Sequence, residues 1–139
     1  MKPCSVVVKN LLVTAGEGVF ATSIFIAGEP TSPDNAITLY DNSGEGNLPL
    51  VSRTGKRTSI HRVQIRVRNT NYQTAYDTAF DIGKILRYTE PFTLAKEGDD
   101  PYAIRYTSFV ETGSVLFLLK DKKQRSIFVL NMKITREEV

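Results

Sequence analysis

The side chains that most often perform chemistry are scarce in this sequence. It contains one histidine, His61, and one cysteine, Cys4. A catalytic nucleophile needs a base beside it, and a structural zinc site needs four nitrogen or sulfur ligands. Because there is no second imidazole or thiol, the sequence excludes an internal disulfide framework, a cysteine-cluster zinc site and a two-histidine mechanism.

The acidic and glycine-containing fragments also lack the spacing of known sites. Glu97, Asp99 and Asp100 do not have the regular ligand spacing or the terminal bidentate glutamate of a calcium loop. The fragments Gly16–Gly18 and Gly44–Gly46 lack the third glycine and the basic residue of a phosphate-binding loop. We therefore predict that the protein has no catalytic residue, no cofactor and no metal ion.

The positive charge is concentrated in one short stretch. The formal net charge is +3, and residues 53–68 contain basic side chains without any acidic one. These are Arg53, Lys56, Arg57, Arg62, Arg66 and Arg68. Such a stretch can bind phosphates or an acidic partner surface, or it can be the solvated face of a strand. Because no aromatic residues alternate with the basic ones, a small nucleic-acid-binding module is only an alternative interpretation.

The spacing of apolar residues predicts two helices. Over residues 3–15 these residues recur at intervals of three and four, although three consecutive valines also favour a strand. A second helix is expected to begin after an N-cap at Asn71 and to end near Arg87. Ala75 and Ala79 on its apolar face would let this helix lie close to a sheet.

Alternation of apolar and polar residues predicts the strands. The clearest is residues 61–68, where Val63, Ile65 and Val67 face the core and the arginines face away. Further strands are predicted over residues 19–27, 36–40, 102–112, 114–120 and 125–135. The order α-β-β-β-α-β-β-β indicates one α+β domain over residues 1–139, with a mixed or mainly antiparallel sheet packed by two helices.

Residues 41–58 are predicted to form a long flexible loop, because they are polar and rich in glycine. Within it, Leu48, Leu50 and Val51 would supply a small apolar anchor, followed by a basic tip at Arg53, Lys56 and Arg57. We expect this loop to become ordered only against a neighbour. Together with Arg62, Arg66 and Arg68, its residues are the candidate interface with another subunit or a partner.

The sequence gives no indication of a membrane protein. No apolar run approaches the roughly 18–20 residues that a membrane span requires. Lys9 and Asn10 interrupt the apolar run near the N-terminus, so a signal peptide is not indicated. We expect a soluble protein that is made and kept in a cytoplasm.

Two segments resemble a known family. The first is PTSPDNAITLYD, residues 30–41, and the second is VQIRVR, residues 63–68, which leads into Ala75-Tyr76 and Ala79. Their order and spacing resemble the minor capsid or tail terminator proteins of tailed bacteriophages. In that family a P-x-x-P-D-x-x-(I/V)-T-(L/V)-Y-D segment precedes a V-Q-(I/V)-R-V-R strand and an A-Y-x-x-A helix.

The resemblance implies a structural, non-enzymatic virion protein. Members of this family form a ring, commonly of six subunits, that closes the head-proximal end of the tail tube and joins it to the head or neck. The implied partners are other copies of the chain, the tail-tube protein and a head-completion protein. DNA would pass through the ring without specific binding, and no membrane is involved. The implied location is the virion, and the host cytoplasm during assembly. Another head–tail connector, either a head-closure or an adaptor protein, is the alternative.

Overall fold

A computed structural model describes the backbone of residues 1–51 and 56–139 and the side chains of residues 1–42 and 56–139. These residues form two helices and seven strands. The elements are α1 (Cys4–Thr14), β1 (Ile24–Ile26), β2 (Ala36–Val51), β3 (Arg57–Asn69), α2 (Tyr72–Arg87), β4 (Phe92–Leu94), β5 (Ile104–Glu111), β6 (Leu116–Lys120) and β7 (Ser126–Glu138). The predicted α+β class and the predicted order of elements are confirmed, and the short β4 is an addition within residues 88–102.

All seven of these strands belong to one mixed sheet. Its strand order is β1-β2-β3-β7-β5-β4, and β6 also pairs with β7. The β1–β2 pair is parallel and the other pairs are antiparallel. One edge of strand β7 pairs with β3. Along its other edge, β5 pairs with the C-terminal part of β7 and β6 with the N-terminal part. As a result β6 lies at the edge of the sheet.

The helices pack on one face of this sheet. Strand β3 contributes Val63, Ile65 and Val67 to the core, as its alternation predicts. Ala75 and Ala79 of α2 are fully buried, and their small side chains allow close packing of the helix. The side-chain oxygen of Asn71 accepts a hydrogen bond from the Thr74 backbone N at 3.0 Å, which confirms the predicted N-cap.

The prediction of a strand over residues 19–27 is wrong at its beginning. The backbone N of Ile24 donates to the Val19 carbonyl at 3.0 Å, and the Ile24 carbonyl accepts from the Ala21 N at 2.8 Å. Residues 19–23 therefore form a turn whose hydrogen bonds are local, and only Ile24–Ile26 are in the strand. The sequence did not indicate this turn, because Val19 and Phe20 have a high β-propensity.

The prediction of a loop over residues 41–58 is wrong at both of its ends. The backbone of β2 continues to Val51, and β3 already begins at Arg57. Irregularities in the pairing with β3, between Asn42 and Gly46 and between Asn47 and Val51, accommodate the glycine-containing sequence. Residues 52–55 lie outside the described residues, and the predicted mobility stays a prediction.

Neither helix in the described ranges combines the length and the apolar character needed to cross a membrane.

Candidate interaction surface

The predicted interface residues at the β2–β3 turn are described only in part. The side chains of Leu48, Leu50, Val51 and Arg53 lie outside the described residues. The Lys56 ammonium lies 5.6 Å from the centre of the Tyr102 ring. Arg57 is exposed, and its backbone N donates to Glu138 Oε2 at 3.2 Å. Lys56 and Arg57 therefore both lie beside residues from the C-terminal half of the chain.

Arg62 and Arg66 lie half-buried on the sheet face opposite the helices. On this face Arg62 is directly opposite Lys133 of β7. Nη1 of Arg66 donates to Glu29 Oε2 at 3.2 Å, and the guanidinium lies 5.7 Å from the centre of the Tyr40 ring. The polar face predicted from the alternation is present, and part of its positive charge is neutralised within the subunit.

Arg68 is buried within the subunit and holds the chain segment that connects β1 to β2. Its side chain is only 3% exposed. Nε donates to the Asp34 carbonyl at 3.1 Å, and Nη2 donates to the Pro33 carbonyl. A second buried arginine, Arg125, donates to the Thr31 carbonyl at 2.6 Å and to Asp34 Oδ1 at 3.3 Å. Arg68 thus binds the turn within its own subunit rather than presenting its charge to a partner.

The last residue of the first sequence motif also has a partner inside the subunit. Helix α1 has no side-chain cap from Pro3, the residue before it. Asp41 of β2 takes this role, since its Oδ1 accepts from the Ser5 backbone N at 3.0 Å and its Oδ2 accepts from Ser5 Oγ. The two motifs that carry the family resemblance therefore hold a turn and a helix end in place.

Several acidic side chains are bound to basic or polar groups of their own subunit. Besides Glu29, Asp34 and Asp41, Glu97 accepts from the Lys2 ammonium at 2.8 Å and Asp100 pairs with the N-terminal ammonium. Glu17 differs, because no basic side chain in the described part of the chain pairs with it. Partial burial, and secondly the charge of Asp81, raise the pKa of Glu17.

Strand β6 is an exposed apolar feature of the described surface that the sequence patterns did not predict. All of its residues are exposed, with Leu116 at 60%, Phe117 at 40%, Leu118 at 39% and Leu119 at 45%. Within the described chain, β6 pairs only with β7. Its other edge therefore offers unpaired backbone groups beside apolar side chains, an arrangement that soluble proteins normally avoid or cover.

Aromatic residues on α2 extend this apolar feature. Tyr72, Tyr76 and Phe80 recur every four residues along one side of the helix and are 50%, 40% and 47% exposed. The Tyr72 and Phe117 ring centres are 5.3 Å apart, and both rings contact the buried Phe128. We call the surface formed by Tyr72, Tyr76, Phe80 and Leu116–Leu119 the β6 surface.

Two sequence signals accompany the β6 surface. The run LFLL at 116–119 does not alternate, and a strand buried on one face only would alternate. In α2, the aromatic residues at 72, 76 and 80 lie beside the small buried residues at 75 and 79, so the apolar part of the helix is wider than one packing face. Both signals indicate apolar residues in excess of what the core needs.

The concave regions lined by the described residues do not form a recognisable catalytic site. A cavity of about 260 Å³ is lined in part by Ser59, His61 and Arg136, and Ser59 Oγ lies 2.9 Å from His61 Nε2. In the described chain no carboxylate is hydrogen-bonded to His61, so the orienting member of a triad is missing there. Burial raises the pKa of the Cys4 thiol to about 11, which keeps it protonated and unreactive. Among the described residues, no group of three or more His, Cys, Asp or Glu side chains is placed to hold a metal ion.

Comparison with known proteins identifies a family and a similar fold. A family model described as "Bacteriophage tail terminator protein" matches residues 11–138. A solved chain from the "Virion of native gene transfer agent (GTA) particle" is 14% identical, with a TM-score of 0.58 over 91% of this chain and 84% of that chain. At this identity the likeness concerns the fold alone. No curated protein matches the sequence.

Proposed function

Because the chain belongs to the bacteriophage tail terminator family, we propose that it forms a ring that closes the head-proximal end of a phage tail tube. It is a structural protein of a phage tail. In the proposed role the ring has six subunits, as the family resemblance implies, and joins the tail to the head or neck. The protein acts through its surfaces and not as an enzyme.

The observation that supports ring formation is the exposed β6 surface. Its residues are between 39% and 60% exposed. Contiguous apolar surface of this kind marks an interaction site in a soluble protein, and the adjoining unpaired strand edge strengthens that reading. A subunit that remained alone would leave these groups in water.

The proposed partners are other copies of the chain, the tail-tube protein and a head-completion or neck protein. The protein is part of the virion, and assembly takes place in the host cytoplasm. DNA passes through the ring without specific binding. The charges of the described residues are compatible with this, because Arg66 is paired with Glu29 and Arg68 is buried.

We further propose that the end of the β2–β3 hairpin is an assembly arm. Leu48, Leu50 and Val51 anchor it on a neighbouring subunit or neck protein, and Arg53, Lys56 and Arg57 supply its positive charge. The arm starts from a strand pair rather than from a loop, since β2 reaches Val51 and β3 begins at Arg57. A strand pair would present the arm at a defined position.

Mass measurement in solution tests the proposed function. The purified protein is measured by native mass spectrometry and light scattering, alone and with tail-tube protein, and the products are imaged by electron microscopy. We expect rings, and rings bound to one end of the tubes. A monomer under both conditions contradicts the terminator role. Rings that bind a neck protein but never a tube end indicate another connector position.

A further inference from the structure

Arginine side chains are buried at three places in the described part of the chain, and one of them differs from the other two. Arg68 pairs with Glu29 at 3.7 Å, and Arg125 pairs with Asp121 at 2.7 Å. Arg136 is 8% exposed, but both of its hydrogen bonds to described residues go to uncharged oxygens. A buried charge without a counter-charge is costly, and folded proteins normally provide one.

Much of the Arg136 guanidinium makes no bond to the described residues. Nη1 donates to the Lys2 carbonyl at 2.9 Å and to the Tyr106 hydroxyl at 3.4 Å. Nε is buried and has no hydrogen-bond partner. An arginine carries five N–H donors, and a carboxylate oxygen is the acceptor that pairs with them most strongly. The N–H groups that remain on Arg136 therefore suit an anionic oxygen ligand.

Arg136 borders the cavity of about 260 Å³ that Ser59 and His61 also line. Ser59 of β3 is directly opposite Arg136 of β7, so their side chains lie on the same face of the sheet. One molecule of liquid water occupies about 30 Å³, so the cavity has room for a carboxylate group and several waters. The buried charge thus lies beside a space that a ligand can occupy.

Other polar groups of the cavity wall also suit an anion. Ser59 Oγ lies 2.9 Å from His61 Nε2. When Nε2 donates to Oγ, the hydroxyl proton of Ser59 can be donated to a ligand. Arg57 and the N-terminal ammonium of Met1 line the cavity as well, and this ammonium pairs with Asp100.

Two carboxylates in the cavity wall limit the charge that the cavity can accept. Glu137 lies 3.8 Å from Arg105, and Glu138 Oε2 accepts from the Arg57 backbone N at 3.2 Å. Both side chains would repel a ligand that carries two negative charges. A single negative charge is balanced by the guanidinium of Arg136, so a carboxylate fits the cavity better than a phosphate.

We propose that this cavity is a binding site for one carboxylate group, which pairs with Arg136. The group comes from outside the subunit, either as the acidic side chain or chain end of a partner protein or as a free carboxylic acid. The inference concerns a single subunit and does not depend on ring formation.

The ring signals of His61 in NMR spectra report on the cavity, because the chain has one histidine and it lines this space. Sodium acetate would be titrated at pH 7.5 under conditions where mass measurement shows single subunits. Sodium chloride would keep the ionic strength constant. We expect a saturable shift of the His61 signals with acetate, and no such shift with chloride alone.

A parallel titration with inorganic phosphate tests the class of the ligand. Phosphate carries close to two negative charges at this pH and should bind more weakly than acetate. Tighter binding of phosphate would overturn the assignment to a carboxylate. His61 signals that do not move with acetate, or that move equally with chloride, would overturn the inference as a whole.

Replacement of Arg136 tests its role directly. In the wild-type protein, acetate at ten times its dissociation constant should raise the melting temperature by about 5 °C, because it binds only the folded state. Arg136→Gln should abolish this rise and the shift of the His61 signals, and circular dichroism would check its fold. The matched control is Lys84→Gln, which removes an exposed charge on α2 and should respond like the wild type.

Ser59→Ala provides a second variant with a smaller change. Loss of its hydroxyl should weaken acetate binding about tenfold. If neither Ser59→Ala nor Arg136→Gln weakens acetate binding, acetate binds elsewhere and the inference fails.

Glu45 is the one acidic residue in the chain whose side chain lies outside the described residues. Glu45→Gln therefore tests whether the carboxylate belongs to the same chain. The response to acetate should be the same in this variant as in the wild type. A response that appears only in Glu45→Gln would show that Arg136 pairs within its own chain, and would overturn the inference.

The assembled protein distinguishes the two sources of the carboxylate. If a partner protein supplies the group, the His61 signals should take their acetate-bound positions on assembly and no longer respond to acetate. If the ligand is a free carboxylic acid, acetate should shift these signals in the assembled protein as well.

Discussion

At the level of single residues, Arg68 was predicted to lie on an interface surface, but its side chain is buried within the subunit. Its alternation with Arg62 and Arg66 places it on the polar face of β3. On that face, however, the segment connecting β1 to β2 covers the end of the strand, and Arg68 binds two of its carbonyl groups. The buried guanidinium thereby has hydrogen-bond partners, as buried polar groups in folded proteins generally do.

Replacement of Arg68 by methionine should destabilise the subunit by about 3 kcal/mol, because it removes the donor of two carbonyl groups and one of the two arginines that pair with Glu29. Chemical denaturation would measure the change. The matched control is Arg105→Met, which removes an arginine that is 51% exposed and paired with Glu137 at 3.8 Å. That substitution should cost less than about 1 kcal/mol. Equal effects would contradict a structural role for Arg68.

His61 should make the stability of the subunit depend on pH. Burial, and secondly the charge of Arg136, lower the pKa of His61 in the folded state. In the unfolded chain this pKa is about 6.5. As the pH falls below about 7, the unfolded state binds more protons than the folded one, so the free energy of unfolding decreases until the lowered pKa is reached.

The His61→Gln variant tests this expectation cleanly, because the chain has no other histidine. Unfolding free energies would be measured by denaturant titration at pH 7.5 and 5.5. The wild-type protein should lose more stability than the variant over this interval. The same loss in both proteins would show that His61 titrates alike in the folded and unfolded states.

At the scale of elements, helix α1 depends on a strand for its first turn. Since Pro3 gives no side-chain cap and Asp41 binds Ser5, Asp41→Ala should lower the free energy of unfolding by about 1–2 kcal/mol. A matched control is Asp77→Ala, at an exposed position in the middle of α2, which should change it by less than about 0.5 kcal/mol. Thermal and urea unfolding would both report the difference.

Helix α2 should not tolerate a larger residue where it meets the sheet. Ala79 is fully buried, so Ala79→Leu should overpack the interface and cost about 1–3 kcal/mol. Gln73→Leu, at an exposed position of the same helix, is the control for adding a leucine. An unchanged melting temperature for Ala79→Leu would mean that the helix does not pack closely at this position.

At the scale of the whole molecule, the end of the β2–β3 hairpin should matter for assembly more than for folding. Reversing Arg53, Lys56 and Arg57 to glutamate should change the free energy of unfolding little, because exposed charges contribute little to stability. Rings should form less readily, since an acidic partner surface would repel the altered arm.

The matched control for this arm is a triple reversal of Lys84, Lys96 and Arg105, which are exposed on other parts of the subunit. Ring formation and complementation of a terminator-defective phage would be measured for both variants. If the arm variant forms rings and complements at the wild-type titre, the arm is not needed for assembly.

The sequence by itself determined those parts of the fold whose signals are local. The apolar spacing of α2 and its Asn71 cap define that helix, and the alternation of Val63, Ile65 and Val67 defines the buried face of β3. These patterns suffice because the period of a helix or a strand decides which side chains share a face. The family resemblance was also local, since its motifs are short segments in a fixed order.

Only the tertiary structure decided which groups remain for partners. The sequence could not show that the hydrogen bonds of Arg68 go to the segment between β1 and β2. It also could not show that strand β2 continues to Val51. The run at 116–119 indicates an excess of apolar residues, but it does not show that they are exposed, because an apolar strand has the same pattern in a core and at an edge. Exposure depends on which elements lie beside a residue in space, and contacts between residues far apart in the chain leave no local pattern in the sequence.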